Sequence, residues 1–471
     1  MICGLAPQSP LRHTPATQTG DRSQLLERNI RVGSSLILCS ILVCLVLLAG
    51  PQISFSQSQN SSSTAANSAT PQEPSQGYVL SPKRAAEAVA YARARHRLYF
   101  LNIGYSFAVL LLLLRWRVAP LFRDWAERFA RNSFLQACVF APLLLLTIDL
   151  LTMPSGAIGH WLARRFGQSV QGWGSWLWDW AKGELLALAL GVFLVWLLYA
   201  VMRRSPRGWW IYAWFTSLPI LVFLVFVSPL VVEPLFFRFT PLSTSDPELA
   251  VQLERVVTRA GQHIPETRMF VMNASSKLNA LNAYVTGLGA SQRVVVWDTT
   301  IARMTAPEIV FVFGHEMGHY VLGHVRKGIA FAAVVLLLFL CAGVRVLDWA
   351  VACWGGGWGL RGVDDWASLP LLLLLVLSFG FAFTPIDNAY SRHLEHQADQ
   401  YGLEVVHGIL PNAPEVAAQS FQILGEVDLE EPHPPWLVKM WFYTHPPIDE
   451  RIRFARAYDP WIRGDAPAFV K

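Results

Sequence analysis

Seven apolar runs in this chain have, or approach, the length that a helix needs to cross a lipid bilayer. About 20 apolar residues span the hydrocarbon core, where only helices and closed barrels satisfy every backbone polar group. The first run is short and follows a basic N-terminus, so the core of a signal peptide is an alternative there. The sequence therefore predicts six or seven transmembrane helices, at about 36–49, 98–114, 134–153, 184–202, 209–232, 329–347 and 369–386.

The composition agrees with a membrane protein. Hydrophobic residues make up 53% of the chain and charged residues only 15%, against ~25% charged residues in an average soluble domain. The net charge is +5, but multi-pass proteins carry Lys and Arg in short loops as topology signals. We therefore expect the bilayer as a partner and no nucleic acid, and the oligomeric state stays open.

Two later stretches, at about 233–327 and 387–471, are polar enough to lie in water. In the first, Asp246-Pro247 predicts a helix start, and Thr305-Ala-Pro-Glu308 predicts a capping box. RMFVMNA and RVVVWDTTI predict short strands, and the intervening LNAYVTGLGASQ predicts a hairpin. The second stretch is predicted to be mostly helical, and we expect the two stretches to combine into one unit. The predicted domains are 1–79 (basic segment, first apolar helix or signal anchor, and polar linker), 80–232 (membrane domain), 233–327 (first part of the polar domain), 328–386 (two membrane helices) and 387–471 (second part of the polar domain).

The stretch GHEMGHYVLGH, residues 314–324, contains an HExxH motif from His315 to His319. On a helix, residues i and i+4 share a face, so both imidazoles can bind one ion. Glu316, one position along, can reach a water on that ion. Two imidazoles and a carboxylate with an open fourth position form a hydrolytic zinc arrangement, so we predict one Zn²⁺ per chain. His324 lies about 140° further round a helix than His319 and is predicted to point away from both ligands, as a helix-end or interfacial histidine.

A third ligand has to come from another part of the chain. The stretch SRHLEHQAD, residues 391–399, is polar, compatible with a helix and follows the last apolar run. Arg392, Glu395 and Asp399 share one helix face there. Glu395 is predicted as the carboxylate ligand, with Asp399 accepting a hydrogen bond from a ligand imidazole. His393 and His396 are rival ligands by residue type, and a salt-bridged surface helix is the plain alternative.

The motifs and the membrane spans together resemble the integral-membrane zinc proteases of the CAAX prenyl protease type. The resemblance implies a mainly α, multi-pass membrane protein in which a ring of seven helices surrounds a water-filled chamber. A protease domain with a small β-sheet would close that chamber. Further stretches that look like that family's, in the same order, are RRFG (164–167), EPLFFRFTPL (233–242), LNAYVTGLG (281–289), VVVWDTTI (294–301) and THPPIDERI (444–452).

The resemblance also implies roles for individual residues. One of these roles, for His445 near the cleaved carbonyl, has a plain alternative: the segment His445-Pro446-Pro447 can instead be the start of a helix. In this chain the implied zinc ligands are His315, His319 and Glu395, the catalytic base is Glu316, the residue behind the ligands is Asp399, the strand that holds an extended peptide contains Asn282, Ala283 and Tyr284, and the residue near the cleaved carbonyl is His445. Arg392, which shares a helix face with Glu395 and Asp399, is also predicted to lie behind the ligands.

The loop charges and the resemblance disagree about which side of the membrane carries the site. With seven spans, the loops on the N-terminal side hold 12 Lys and Arg and the opposite loops hold 8. That bias keeps the N-terminus inside and the catalytic segments outside. The family has its site on the cytosolic side, and we follow the family.

The predicted function is that of a membrane-embedded zinc metalloendopeptidase acting on a peptide or protein. Two alternatives stay open at this point. The first is a heat-shock-type membrane quality-control metalloprotease, a class with fewer spans. The second is a transporter or channel with an incidental metal site, which the long polar segments with HExxH and ExxxD elements disfavour.

Overall fold

A computed structural model describes residues 77–287 and 291–470. The first predicted span at 36–49, nearly all of the polar linker at 54–77 and the centre of the predicted hairpin loop at 288–290 lie outside these residues. Helices and strands are numbered along the described chain.

Six helices in the described ranges are long and apolar enough to cross a membrane, which confirms the multi-pass prediction. A helix of 33 residues is about 50 Å long at 1.5 Å per residue, whereas the hydrocarbon core is ~30 Å thick. The helices therefore extend well beyond the apolar runs. They are α1 (Pro82–Arg115), α3 (Ser133–Arg165), α4 (Trp173–Arg204), α5 (Trp209–Val231), α10 (His324–Trp358) and α11 (Leu369–Val406).

These six helices form a closed ring. Each packs against the next along the chain, and α11 packs back against α1. The ring has its main buried core, which includes Phe140, Tyr199 and Trp366, at the end away from the polar segments. The amphipathic helix α2 (Val118–Phe129) covers that end, where Arg123 and Asp365 form a buried ion pair at 2.6 Å.

The small sheet has four strands, β1 (Phe239–Pro241), β2 (Met269–Met272), β3 (Ala283–Thr286) and β4 (Arg293–Trp297). They lie in the order β1-β2-β4-β3. The pair β2–β4 is parallel, whereas β3 and β4 form the predicted antiparallel hairpin, which leaves β3 at the edge. The stretch RVVVWDTTI is not a strand throughout, because α8 (Asp298–Arg303) starts after Trp297. An aspartate favours a helix N-terminus, and Thr299 and Thr300 donate to carbonyls outside the ladder.

The remaining helices lie in the two polar stretches, and those of the first stretch confirm the predicted helix starts. Asp246 accepts a hydrogen bond from the Leu249 amide at 3.0 Å, and Thr305 and Glu308 form a capping box. The second polar stretch is mostly helical, as predicted. These helices are α6 (Leu242–Ser245), α7 (Pro247–Arg259), α9 (Ala306–Val321), α12 (Ala413–Asp428), α13 (Trp436–Phe442), α14 (Ile448–Ala457) and α15 (Pro460–Arg463).

The helix α9, which carries HExxH, crosses the water-exposed end of α11 at glycines. A Cβ on Gly402 of α11 would lie 3.0 Å from the backbone nitrogen of His315, and a Cβ on Gly318 of α9 would lie 3.2 Å from Cα of Ala398. These distances leave no room for side chains between the two backbones. The crossing therefore brings the first polar stretch directly against the SRHLEHQAD segment.

We predict that Gly402→Ala destabilises the protein. The added methyl would meet helix backbone at 3.0 Å, and overpacking of this kind costs about 1–3 kcal/mol, more than the ~1 kcal/mol that alanine gains over glycine in a helix. Thermal unfolding of the purified protein, followed by tryptophan fluorescence, should show a lower midpoint. The matched control is Gly380→Ala on the same helix, where a Cβ meets nothing within 4 Å. Equal midpoints for the two variants would contradict this packing.

Candidate active site

The structure brings His315, His319 and Glu395 together. The two Nε2 atoms of the histidines lie 3.1 Å apart. The Glu395 Oε2 atom lies 3.2 Å from Nε2 of His315 and 3.5 Å from Nε2 of His319. One ligand atom from each of the three residues lies within 4.8 Å of the other two, which is close enough for one ion. The exposed rivals His393 and His396 do not join this cluster.

The cluster is chemically suited to a divalent cation. Glu395 Oε2 is buried and accepts no well-aligned hydrogen bond from the described residues, although three imidazole nitrogens lie close to it. Burial lowers the pKa of His315, but the carboxylates of Asp399 and Glu395 outweigh burial and raise this pKa to about 10. The pocket therefore favours a positive charge here, and a metal ion competes with a proton for it. Two imidazoles and one carboxylate are typical ligands of hydrolytic zinc.

Asp399 lies behind His315 and is almost fully buried, with 1% of its surface exposed. Its Oδ1 accepts a hydrogen bond from Nδ1 of His315 at 2.8 Å. The buried guanidinium of Arg451 binds both carboxylate oxygens, at 2.6 and 2.9 Å. This two-point ion pair keeps Asp399 charged and oriented, which directs Nε2 of His315 toward the ion site.

Sequence reasoning did not single out Arg451, although it lies within THPPIDERI, a stretch quoted for the family resemblance. A further signal was available in the helical spacing of that stretch. Asp449, Arg451, Ile452 and Ala455 are the buried residues of α14, and a charged residue on the apolar side of a helix requires a buried partner.

Glu316 lies beside the cluster, with Oε1 4.0 Å from Nε2 of His315. It lines a cavity of about 540 Å³ together with Asn282 and His445. Burial raises the pKa of the Glu316 carboxyl, against the lowering influence of the two neighbouring histidines. A carboxylate with a raised pKa at the wall of a cavity is suited to accept a proton from a bound water.

His445 lies on the other side of the cluster, with 51% of its side chain exposed and Nε2 3.1 Å from Oε2 of Glu395. The His445-Pro446-Pro447 segment also leads directly into α14. Arg392 does not contact the ligands through its hydrogen bonds. It donates to the carbonyls of Lys439 and Tyr443, at 3.1 and 2.6 Å, and so fixes the segment that presents His445.

The predicted peptide-holding residues lie at the edge of the sheet. Asn282 lines the cavity and immediately precedes β3, the edge strand. Ala283 is fully buried and pairs with Val296 of β4. The hydroxyl of Tyr284 donates to Glu233 at 2.6 Å, which ties this side chain to the end of the membrane domain.

The prediction that His324 points away from the ligands is wrong for His319, although His324 does lie at a helix end, as predicted. It assumed one unbroken helix, but α9 ends at Val321 and Gly323 adopts φ +68°, in the left-handed region. The chain turns there, and His324 becomes the first residue of α10. Its Nδ1 lies 3.1 Å from Nδ1 of His319.

Two family models match the chain in adjoining segments. The model of peptidase family M48 matches residues 243–459. The model described as CAAX prenyl protease N-terminal, five membrane helices, matches residues 63–238. The first match includes every residue of the cluster described above.

Known proteins resemble the chain over most of its length. An uncharacterized metalloprotease of Bacillus subtilis, YhfN, is 36% identical over 380 residues, which cover 80% of this chain and 86% of the relative. The human CAAX prenyl protease 1 homolog is 25% identical over 385 residues, covering 72% and 77%. The crystal structure of S. mikatae Ste24p has a similar fold, with a TM-score of 0.70 at 22% identity, covering 80% of this chain and 90% of that chain.

The distances predict which residues hold the metal. Glu395→Ala should lose stoichiometric zinc, because it removes the only carboxylate oxygen of the described cluster. His393→Ala and His396→Ala, which remove exposed rings from the same helix, should keep one zinc per chain. Metal analysis of the purified variants by mass spectrometry is the measurement. Zinc retained by Glu395→Ala, or lost from either histidine variant, would contradict the assignment.

Proposed function

The chain belongs to peptidase family M48 and carries the membrane domain of the CAAX prenyl proteases, and we propose that it hydrolyses peptide bonds with one zinc ion held by His315, His319 and Glu395. That it is a membrane metalloprotease of this type follows from the family. The metal, its ligands and the substrate are the proposal. The observation that carries the proposal is the position of Glu395 Oε2, 3.2 and 3.5 Å from the two HExxH imidazoles.

A zinc ion held by His315, His319 and Glu395 would lower the pKa of a bound water toward ~7 and would polarise the carbonyl under attack. Glu316 is the proposed base. It lies one position along the helix from His315 and lines the same cavity, so it can take the proton of the attacking water. It then returns that proton to the leaving amine.

His445 is the proposed donor to the oxyanion. Its Nε2 reaches the cluster at 3.1 Å from Glu395, and half of its side chain is exposed. A donor at the mouth of the site can therefore meet the carbonyl oxygen of a bound peptide. Arg392 supports this role indirectly, because it fixes the backbone two residues before His445.

The proposed substrate is an extended peptide that adds to β3 as a further strand. In the described part of the chain, β3 pairs only with β4, so its outer edge has backbone groups available for a peptide. Asn282 connects this edge to the cavity that contains Glu316. Main-chain pairing of this kind gives affinity with little dependence on the substrate's side chains.

The substrate class proposed from the resemblance is a membrane-associated peptide or protein, including C-terminal processing of the kind named by the CAAX relatives. The ring of membrane helices adjoins the site directly, because α11 forms part of the ring and also carries Glu395. A substrate held near the membrane would reach the zinc from that side. We further propose, from the family resemblance, that the site faces the cytoplasm.

The heat-shock-type alternative accounts for fewer of the findings. The match to the CAAX prenyl protease N-terminal domain covers residues 63–238, and six membrane helices lie in the described ranges. Both findings favour the CAAX type over a class with fewer spans. A transporter with an incidental metal site is likewise disfavoured by the match to a peptidase family.

We predict that Glu316→Gln retains zinc and loses proteolysis. Glutamine preserves the size of the side chain but cannot accept the proton, and loss of a general base typically lowers the rate by 10²–10⁴-fold. Cleavage of a farnesylated CAAX peptide by the purified protein, with zinc content measured in parallel, checks this. Full activity in zinc-loaded Glu316→Gln would overturn the mechanism.

The same assay tests the substrate class. The wild-type protein is compared on farnesylated and unprenylated versions of one peptide, each with and without a chelator. Chelator-sensitive cleavage that favours the farnesylated peptide supports CAAX processing. Equal cleavage of both supports a general membrane protease, and zinc-loaded wild type that cleaves neither peptide contradicts the proposed function.

A further inference from the structure

We propose that His324 is a positioning residue, which holds His319 in the tautomer whose Nε2 faces the metal. This inference rests on the proposed zinc site and adds a residue to it. HExxH accounts for the two ligand imidazoles and the base but leaves the orientation of the second imidazole unexplained. His315 has Asp399 behind it, and the corresponding partner of His319 is His324.

His324 is buried, with 4% of its surface exposed. Both of its ring nitrogens have polar neighbours. Nδ1 lies 3.1 Å from Nδ1 of His319, and Nε2 lies 3.2 Å from Oε1 of Gln397. Gln397 is on α11, between Glu395 and Asp399. The crossing of α9 over α11, which brings Glu395 to the cluster, therefore also brings Gln397 to His324.

The neighbours determine which nitrogen carries each hydrogen. The Gln397 carbonyl oxygen can only accept, so Nε2 of His324 carries the hydrogen and donates it. A neutral imidazole has a single N–H, so Nδ1 of His324 is an acceptor. It can accept only from Nδ1–H of His319. Nε2 of His319 then has a free lone pair, 3.5 Å from Oε2 of Glu395 and directed into the cluster.

The orientation of Gln397 agrees with this order of donors. Its amide nitrogen lies 3.3 Å from Nε2 of His393, so the amide oxygen faces His324 and the NH₂ group faces His393. The chain of hydrogen bonds thus runs from His319 through His324 to Gln397. No charged group is needed in it, in contrast to the Asp399–Arg451 pair behind His315.

The turn at Gly323 makes this contact possible. On an unbroken helix, a residue five positions after His319 lies about 140° round the axis and cannot face it. Gly323 has φ +68°, a conformation that side chains other than glycine's rarely adopt. The chain reverses there, and the ring of His324 folds back onto His319.

The test uses two substitutions in the full-length protein in detergent. His324→Phe keeps a planar ring and removes both hydrogen bonds. His324→Gln keeps one acceptor for His319 and one donor for Gln397. Loss of such an outer partner typically weakens metal binding by 10–100-fold. We expect His324→Phe to raise the zinc Kd by roughly that factor and His324→Gln to recover most of the affinity.

Zinc affinity is measured by competition with a chromogenic chelator, and the visible spectrum of the Co²⁺-loaded protein reports the ligand set. At saturating Co²⁺, the wild-type and His324→Phe spectra should agree, because His324 is not a ligand. His396→Ala is the matched control, since it removes an exposed imidazole from α11 that packs on Phe454, and its Kd should equal the wild-type value. Thermal midpoints are recorded for all variants.

Each outcome decides between the possibilities. Weak binding in His324→Phe with recovery in His324→Gln supports the assignment. Wild-type affinity in His324→Phe overturns it, and so does an equal loss in both variants with lowered thermal midpoints, which indicates a packing role. A changed Co²⁺ spectrum at saturation makes His324 a ligand and also overturns it. A wild type that binds no zinc overturns the proposed function itself.

Discussion

The crossing of α9 over the end of α11 is the contact on which the site depends. Gly402 and Gly318 allow backbone-to-backbone contact, with positions for a Cβ only 3.0 and 3.2 Å from the facing helix. The HExxH histidines lie before a pair of membrane helices, and Glu395 lies on the second of that pair. Neither polar stretch has a complete ligand set alone. The membrane hairpin is therefore part of what assembles the site.

Buried charge stabilises this arrangement and orients one of the ligand histidines. Asp399 lies between Arg451 and His315, and all three are buried. A buried carboxylate is costly without a partner, so Arg451 from the second polar stretch neutralises the group that orients a histidine of the first. Behind His319, the neutral pair of His324 and Gln397 occupies the equivalent position. The two imidazoles thus have different supports, one charged and one neutral.

Local patterns predicted local structure well. The apolar runs from residue 98 onward predicted the six membrane helices of the described ranges, and Thr305 with Glu308 predicted the start of α9. Contacts across the chain were harder to predict. Arg451 contacts Asp399 from 52 residues away. Helical spacing indicates that Arg451 needs a buried partner but does not identify Asp399 as that partner. Helical geometry does not predict the position of His324, because the backbone turns at Gly323. The turn at Gly323 thus directs the ring of His324 toward His319.

Anomalous X-ray diffraction at the zinc absorption edge tests the central claim most directly, because it locates the metal among its ligands. For crystals of the full-length protein we expect one peak per chain, bounded by Nε2 of His315, Nε2 of His319 and the carboxylate of Glu395. A peak bounded by His324, His393 or His396 in place of one of these ligands would contradict the claim. So would a zinc ion bound by the two HExxH histidines with Glu395 turned away.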